Sequence, residues 1–451
     1  MHSFRVRLLL LGCLALAVVG CAGHSEMTKG ARSALDAGQP KAALKALNEE
    51  LGVDSAKQPL VEIGDDKILF VLDRSMVLQQ LSSYELSSRD LELADKQIEV
   101  LDFSRGTLDD ISKYMFSDDS GPYVAPPYEK LLINTMNMMN YLARGELSGA
   151  AVEARRFTTM QKFISEHEAQ GKSLSGPGSY LAGFIFEKMN KPNEALRYYD
   201  EALQFGEFVS LADAVQRLAR RDSYRTPRLS KLIGEEGLQT PQAAEGAQDQ
   251  SGEILVIVNY GRVPAKIAKR VPIGLALTIA ALHIPPHASK RANYLAAQGL
   301  VTWVNYPTLG KPRGKWGVPE FFLDDRQLPL EGMLAVDVEA KRAWKETEGA
   351  VVASAITRVI TRVAAGETAR QASGGGVVGA LLSLGTQATM TAADTPDTRS
   401  WSTLPARIAF GRMRVPPGKH TIRLRVRGVE KRQVVDVPPG GWAVIPLTVL
   451  R

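Results

Sequence analysis

The chain has 451 residues, of which 45% are hydrophobic, 23% charged and 7% aromatic. At roughly 100–200 residues per domain that length provides for two or three domains, each able to bury a core, and the composition excludes a disordered chain, a collagen-like fibre and a cysteine-stapled mini-protein. Lys and Arg outnumber Asp and Glu by 55 to 49, and no run of about 20 strongly apolar residues follows the start of the chain, which argues against a multi-span membrane protein.

Arg5 and Arg7 precede an almost wholly apolar run from Leu8 to Val19, and Val18-Val19-Gly20-Cys21 closes it. A basic flank, a short apolar stretch and small residues at a cleavage point make a secretory signal, too short to span comfortably as a transmembrane helix. The last four residues resemble the lipobox of bacterial lipoproteins, which implies that residues 1–20 are removed and that the Cys21 thiol is acylated. Cys13 leaves with the signal, so Cys21 is the one cysteine of the processed chain. Such a chain forms no internal disulfide, and acylation removes a free thiol that would be a liability outside the cytoplasm. Ala22 stands where an aspartate would resemble an inner-membrane retention signal, so the resemblance implies the periplasmic face of the outer membrane.

From Gly30 to Leu51 the pattern is a helical hairpin, Ala31, Ala34 and Leu35 before a turn at Gly38-Gln39-Pro40 and Ala42, Ala43, Ala46 and Leu47 after it. Leu69, Leu72, Met76, Leu86 and Leu93 continue at helical spacing towards Leu101. A weaker hairpin runs from Tyr141 through Gly145 to Ala150, Ala151 and Ala154, and Met136, Met138 and Met139 beside it read as helical core. The clearest hairpin lies between Ser179 and Phe205, with a turn at Asn190-Lys191-Pro192-Asn193. Its Gly183, Ala195 and Ala202 are small where helices cross, and Phe186 and Tyr199 fill the gaps. These spacings resemble the tetratricopeptide repeat (TPR), which implies stacked helical pairs and a groove for peptides or partner proteins; the array could instead only support the second half. Leu238 to Gly252 lacks apolar periodicity and reads as a linker.

The charge changes sign at that boundary. Residues 21–250 hold 26 Lys and Arg against 35 Asp and Glu, and residues 251–451 hold 27 against 14. Two domains with different electrostatic roles follow, the basic one suited to anionic lipid, an acidic glycan or the acidic half itself, or else simply solvated. Nucleic acid is excluded as a partner by the compartment. Glu253 to Asn259 reads as a buried strand. The runs Arg407–Val415, His420–Val426, Gln433–Val437 and Trp442–Leu450, separated by Pro-Pro-Gly turns, indicate a small antiparallel β-sandwich. Alternation in the second run puts Ile422, Leu424 and Val426 on one face and Arg423, Arg425 and Arg427 on the other, either a face for an anionic partner or a solvated edge. Val338 to Ala369, with Asp337 as N-cap, reads as a helix with a stripe of Trp344, Val351, Val352, Ala355, Ile356, Val359 and Val363. Residues 371–393 carry no charge and hold Gly375 and Gly379 four apart, which suits a buried hairpin partner for that helix, or a lipid-contacting or oligomerising segment.

Catalytic patterns are absent: no Gly-x-Ser-x-Gly elbow, Ser-x-x-Lys pair or Walker loop occurs. His283 and His287 are four apart, but Pro285-Pro286 breaks the helix that a metal pair needs, and His167-Glu168 lacks a second histidine. The acid pairs Asp65-Asp66, Asp109-Asp110, Asp118-Asp119 and Asp324-Asp325 read as solvated loops. No metal or cofactor is expected. Residues 394–405, DTPDTRSWSTLP, followed by Val415-Pro416-Pro417-Gly418, together with the lipobox and the Gly183/Ala195 hairpin, resemble a family of uncharacterised Gram-negative lipoproteins with a TPR-like front and a sheet-containing back. That resemblance carries no catalytic residues with it. Trp401, Leu404 and Pro405 read as a packed corner introducing the first sandwich strand.

The expectation is a multidomain α+β protein: signal 1–20, lipidated tether 21–28, helical TPR-like domain 29–237, linker 238–252, and a β-rich domain 253–451 with a helical hairpin insert at about 338–393. Its expected role is a non-enzymatic scaffold anchored to the outer membrane that binds an envelope protein through the helical groove. An enzyme acting on an envelope polymer, or a homo-oligomeric export component, are the alternatives.

Overall fold

The computed structural model describes residues 23–60, 63–64, 67–105, 123, 125–167, 174–234, 250–311, 317–372 and 396–451. The chain is α+β, helices filling its N-terminal half and sheets its C-terminal half. The helices are α1 (His24–Met27), α2 (Lys29–Asp36), α3 (Pro40–Leu51), α4 (Ile68–Gln80), α5 (Tyr84–Arg105), α6 (Pro127–Ala143), α7 (Leu147–His167), α8 (Ser175–Lys188), α9 (Pro192–Ala202), α10 (Ala212–Ala219) and α11 (Pro227–Ile233).

Four hairpins, α2–α3, α4–α5, α6–α7 and α8–α9, share one turn. In each, a residue with positive φ ends the first helix: Gly38, Ser82, Gly145 or Asn190. The next amide then bonds back five residues, Gln39 to Ala34, Ser83 to Leu78, Glu146 to Tyr141 and Lys191 to Phe186, all at 2.8–2.9 Å. This closure satisfies carbonyls that a helix end otherwise leaves open. Proline opens α3 and α9, its fixed φ suited to the first helical turn. Ser82 also resets the helical phase, so the single stripe expected from Leu69 to Leu101 does not run through. In α5 the buried face is Ser87, Leu91, Ala94 and Ile98, whereas Leu86 and Leu93 are half-buried.

The inner helices are covered on every side. Twelve residues of α4, Ile68 to Gln79, and thirteen of α8, Ser175 to Glu187, are buried, beyond what an amphipathic surface helix would cover. Arg74 is fully buried in α4 and makes two bonds to Asp90 of α5, at 2.7 and 2.9 Å.

What covers the inner helices is a sheet. Strands β1 (Gly252–Tyr260), β6 (Glu331–Ala335), β7 (Arg407–Val415) and β10 (Trp442–Val449) form it in the order β10-β1-β7-β6. A second sheet, order β5-β4-β8-β9, contains β4 (Glu320–Leu323), β5 (Arg326–Leu328), β8 (Gly418–Val426) and β9 (Val429–Val437). All nine residues of β1 are buried because both its faces are packed. Leu255 and Ile257 join the helical core, while Ile254, Val256 and Val258 join Ile422, Leu424 and Val437 of the second sheet. The result is three layers: helices, first sheet, second sheet. The Pro416-Pro417-Gly418 and Pro438–Gly441 turns carry the chain from one sheet to the other and do not close hairpins within a sheet. The all-antiparallel pairing expected from sequence is corrected at one place, since β1 and β10 run parallel, Glu253 opposite Trp442 through Tyr260 opposite Val449.

A separate lobe projects from this body. The hairpin β2 (Lys266–Pro272) and β3 (Trp303–Leu309), with α12 (Ile273–Ile279) and α13 (Pro286–Ala297) between its strands, packs on the long helix α14 (Val336–Ala372). Val351, Val352, Ala355, Ile356 and Val363 are buried there, and Trp344 and Val359 pack at the rim, on the stripe read from sequence. Asp337 lies within the first turn of α14 and pairs with Arg407 and Lys341.

Candidate anion site where helices and sheets meet

Cys21 and residues 1–20 lie outside the described residues, as do 238–249 of the linker and Gly375 and Gly379. Among the acid pairs, Asp65-Asp66, Asp109-Asp110 and Asp118-Asp119 also lie outside them. The segment read as a tether is docked from Gly23 onward: α1 buries His24 and Ser25, and the Ser25 amide donates to Thr398 Oγ1 at 3.2 Å. Gly183 and Phe186 of α8 and Ala195, Tyr199 and Ala202 of α9 are buried. A β-carbon on Gly183 would stand 2.4 Å from the Tyr199 ring, and Phe186 stacks on Tyr198 at 5.3 Å.

The outward face of β8 is less cationic than its arginines suggest. Arg425 lies between Glu320 and Glu430, at 3.1 and 3.0 Å, and Arg423 covers the Phe322 ring at 4.0 Å and faces Asp325 at 3.7 Å. Arg427 has a positive φ at the β8–β9 turn and leaves the strand alternation. Asp324 bonds His420 Nδ1 at 2.7 Å and the Thr421 amide at 2.8 Å, so this acid pair shapes a turn. Among the described residues no group of three or more His, Cys, Asp or Glu could hold a metal ion.

Sequence reasoning missed two buried polar clusters that join the layers. In the first, Arg412 of β7 donates to Glu253 Oε1 and Glu187 Oε2, each at 2.6 Å, and to the Tyr199 hydroxyl at 2.7 Å. Lys188 contacts Glu253, and Arg217 lies 3.4 Å from both carboxylates. The single warning in the sequence is Glu253, an acid at the head of an otherwise apolar strand.

The second cluster holds residues 398–403. Asp73 of α4 accepts from Ser402 Oγ at 3.0 Å and from the Thr403 amide and hydroxyl at 2.9 Å each. Glu129 accepts from the Trp401 amide at 3.3 Å and from the Tyr123 hydroxyl. Trp401 is packed as expected, but into the helical core, its indole donating to the Leu72 carbonyl at 3.1 Å. Burial pushes the Asp73 carboxyl up to about 6 against the opposing hydrogen bonds. It drives His24 down to about 3, with the Arg32 charge adding to the effect. The 3.8 Å approach of His24 to Asp73 therefore joins a neutral imidazole to a carboxyl group and is not an ion pair.

These shifts give a pH prediction. The folded state holds the Asp73 proton more tightly than the unfolded chain, whose value is near 3.8. The contribution of Asp73 to stability is thus fully present below that value and is lost as pH rises through about 6. Between about pH 7 and about pH 5 the wild type should gain about 1 kcal/mol relative to Asp73→Asn, measured by urea unfolding of both. His24 titrates in both proteins and cancels.

Ser402 also opens onto a cavity of about 300 Å³ lined by Arg32, Arg262, Lys311 and Arg451, with Val263 to Ala265, Ile267 and Gly310 as its apolar and backbone wall. Among the described residues no carboxylate side chain lines it. Arg262 is the buried member, 7% exposed; one nitrogen bonds Asp36 and the Arg32 carbonyl, and its Nε and Nη1 have no hydrogen-bond partner among the described residues. Burial first, then the charges of Arg32 and Arg427, lower its guanidinium to about 10, so it stays charged at neutral pH. A buried cation with open donors among further cations is the arrangement that an oxyanion completes, each charge-assisted bond being about twice as strong as a neutral one. Arg32 of α2 is held by the residues before its helix: it donates to Thr28 Oγ1 and to the Ser25 carbonyl of α1, both at 2.6 Å. Ser402 donates its hydroxyl to Asp73, a carboxylate it shares with Thr403. No protein-family model matches the chain, and no curated protein matches it in sequence.

Proposed function

We propose that this chain is a lipid-anchored envelope protein of the outer membrane that works by binding and not by turnover, with the cavity around Arg262 as its ligand site. The observation that carries the reading is the pair of unpartnered guanidinium nitrogens on a buried arginine in a cavity lined by cations. The ligand is an oxyanion group of phosphate or carboxylate type. Within this reading the helices are a TPR-like array, supported by four hairpins closed by one turn, and the two sheets form a β-sandwich, supported by the apolar core between them. The scaffold groove expected of such an array is occupied by the chain's own first sheet, with Phe184 against Trp442 at 5.9 Å and Tyr180 against Phe410 at 5.2 Å. Partner binding is therefore assigned to the cavity and not to the inner helices.

Acylation at Cys21 fits the same site. Arg32 grips Ser25, and the four peptide links back to Cys21 reach at most about 14 Å. An acylated chain would hold the cavity wall close to the bilayer without a long tether. Native mass spectrometry of protein extracted from envelopes in mild detergent tests the proposal. The expected result is a diacylglyceryl modification on Cys21 and a bound anionic ligand that Arg262→Gln loses. An unmodified thiol, or a ligand-free wild type indistinguishable from the variant, would contradict it.

A further inference from the structure

The lobe built on β2, β3, α12 and α13 differs in composition from the rest of the molecule. Residues 266–309 contain five Lys and Arg and no Asp or Glu. Exposed large apolar side chains also gather here. Leu282, in the connection between α12 and α13, is 93% exposed, and Leu275, Tyr294, Leu300 and Trp303 are exposed on the same pair of helices and at the adjoining end of β3. Lys290 and Arg291 are exposed on α13. The aromatic groups stand next to cations: Arg270 lies over Trp303 at 5.3 Å and Arg291 over Tyr294 at 5.7 Å. Among the described residues the core of the lobe is formed by Ala276, Ala292, Leu295 and Val304 against α14, and the outer apolar groups are not part of it.

We infer that this lobe seats on an anionic bilayer, Leu282 entering the interfacial zone while Lys290 and Arg291 meet lipid phosphates. An aliphatic tip, aromatic rings at headgroup depth and basic side chains with no acid among them are the combination that membrane interfaces select. An acidic protein partner would account for the cations but not for an aliphatic tip in full solvent contact. The inference needs neither acylation nor the Arg262 cavity. The lobe and the cavity do share the hairpin root, since Ile267 and Gly310 line the cavity wall.

The test is vesicle flotation of the chain from residue 21 onward carrying Cys21→Ser, so that acylation cannot supply attachment. The expected result is flotation with phosphatidylglycerol–phosphatidylethanolamine vesicles and none with phosphatidylcholine alone. Lys290→Ala with Arg291→Ala lowers the partition coefficient roughly thirtyfold. Leu282→Asp lowers it at least about tenfold, and its exposure keeps the fold out of question. Arg262→Gln floats like the wild type, which separates this inference from the proposal for the cavity. Absence of flotation, flotation unchanged by both lobe variants, or flotation abolished by inorganic phosphate would overturn it. So would a vesicle-independent dimer dissolved by the same lobe variants, which would make a second copy the occupant.

Discussion

Replacing Arg412 by methionine should destabilise the fold by about 3–5 kcal/mol, because it leaves two buried carboxylates without their shared partner. Burial alone would raise the carboxyls of Glu187 and Glu253; Arg412 first, with Lys188, overrides it and holds both below the usual carboxylate range. The guanidinium also packs over the Phe184 and Tyr199 rings at 5.1 and 5.6 Å, contacts that methionine keeps only in part. The same logic predicts rescue. Adding Glu187→Gln, Glu253→Gln and Lys188→Met should recover most of the loss, since removing the buried ionic group together costs far less than removing one member. Urea unfolding of the single and the combined variant distinguishes this from lost packing over the Phe184 and Tyr199 rings, which the added substitutions would not restore. For the wild type, the stability from the depressed carboxyls is present above about 4.5 and is lost as pH falls towards their folded values.

Trp401→Ala should cost a similar amount, about 3–5 kcal/mol, by opening a large cavity in the helical core. Trp401 is fully buried and belongs to a loop whose neighbours are fixed by Asp73 and Glu129, so its loss frees the loop from α4 as well. Trp401→Phe separates packing from hydrogen bonding. It retains most of the buried ring and forfeits the bond to the Leu72 carbonyl, so its expected cost is about 1–2 kcal/mol. Thermal unfolding of the two variants should preserve that order. Equal losses would mean that the indole N–H, and not the volume, fixes the loop.

Local pattern revealed the elements whose reason is local. The apolar run from Ile254 to Val258 became a strand packed on both faces, and Ile422, Leu424 and Val426 point inward as alternation requires. Gly183 lies against the Tyr199 ring of the next helix, and Ala195 and Ala202 are buried. Long-range arrangement was not legible. A single left-handed residue, Ser82, rotates the buried face of α5, and helical periodicity carries no sign of it in advance. The parallel β1–β10 pair joins strands separated by nearly the whole C-terminal half, and nothing in either strand names its neighbour. The cavity is harder still, because Arg32, Arg262, Lys311 and Arg451 each look like solvated charges until the fold gathers them. Alternation instead pointed to Arg423 and Arg425, whose charges Glu320, Glu430 and Asp325 partly answer.

Calorimetric titration of inorganic phosphate into the purified chain, beside Arg262→Gln and the rim variant Lys311→Gln, tests the binding cavity most directly. One site per chain is expected, weakened by at least about 2 kcal/mol in Arg262→Gln and by a smaller amount in Lys311→Gln. Phosphate binding of equal strength in all three proteins, or none in the wild type, would contradict a ligand site built on Arg262.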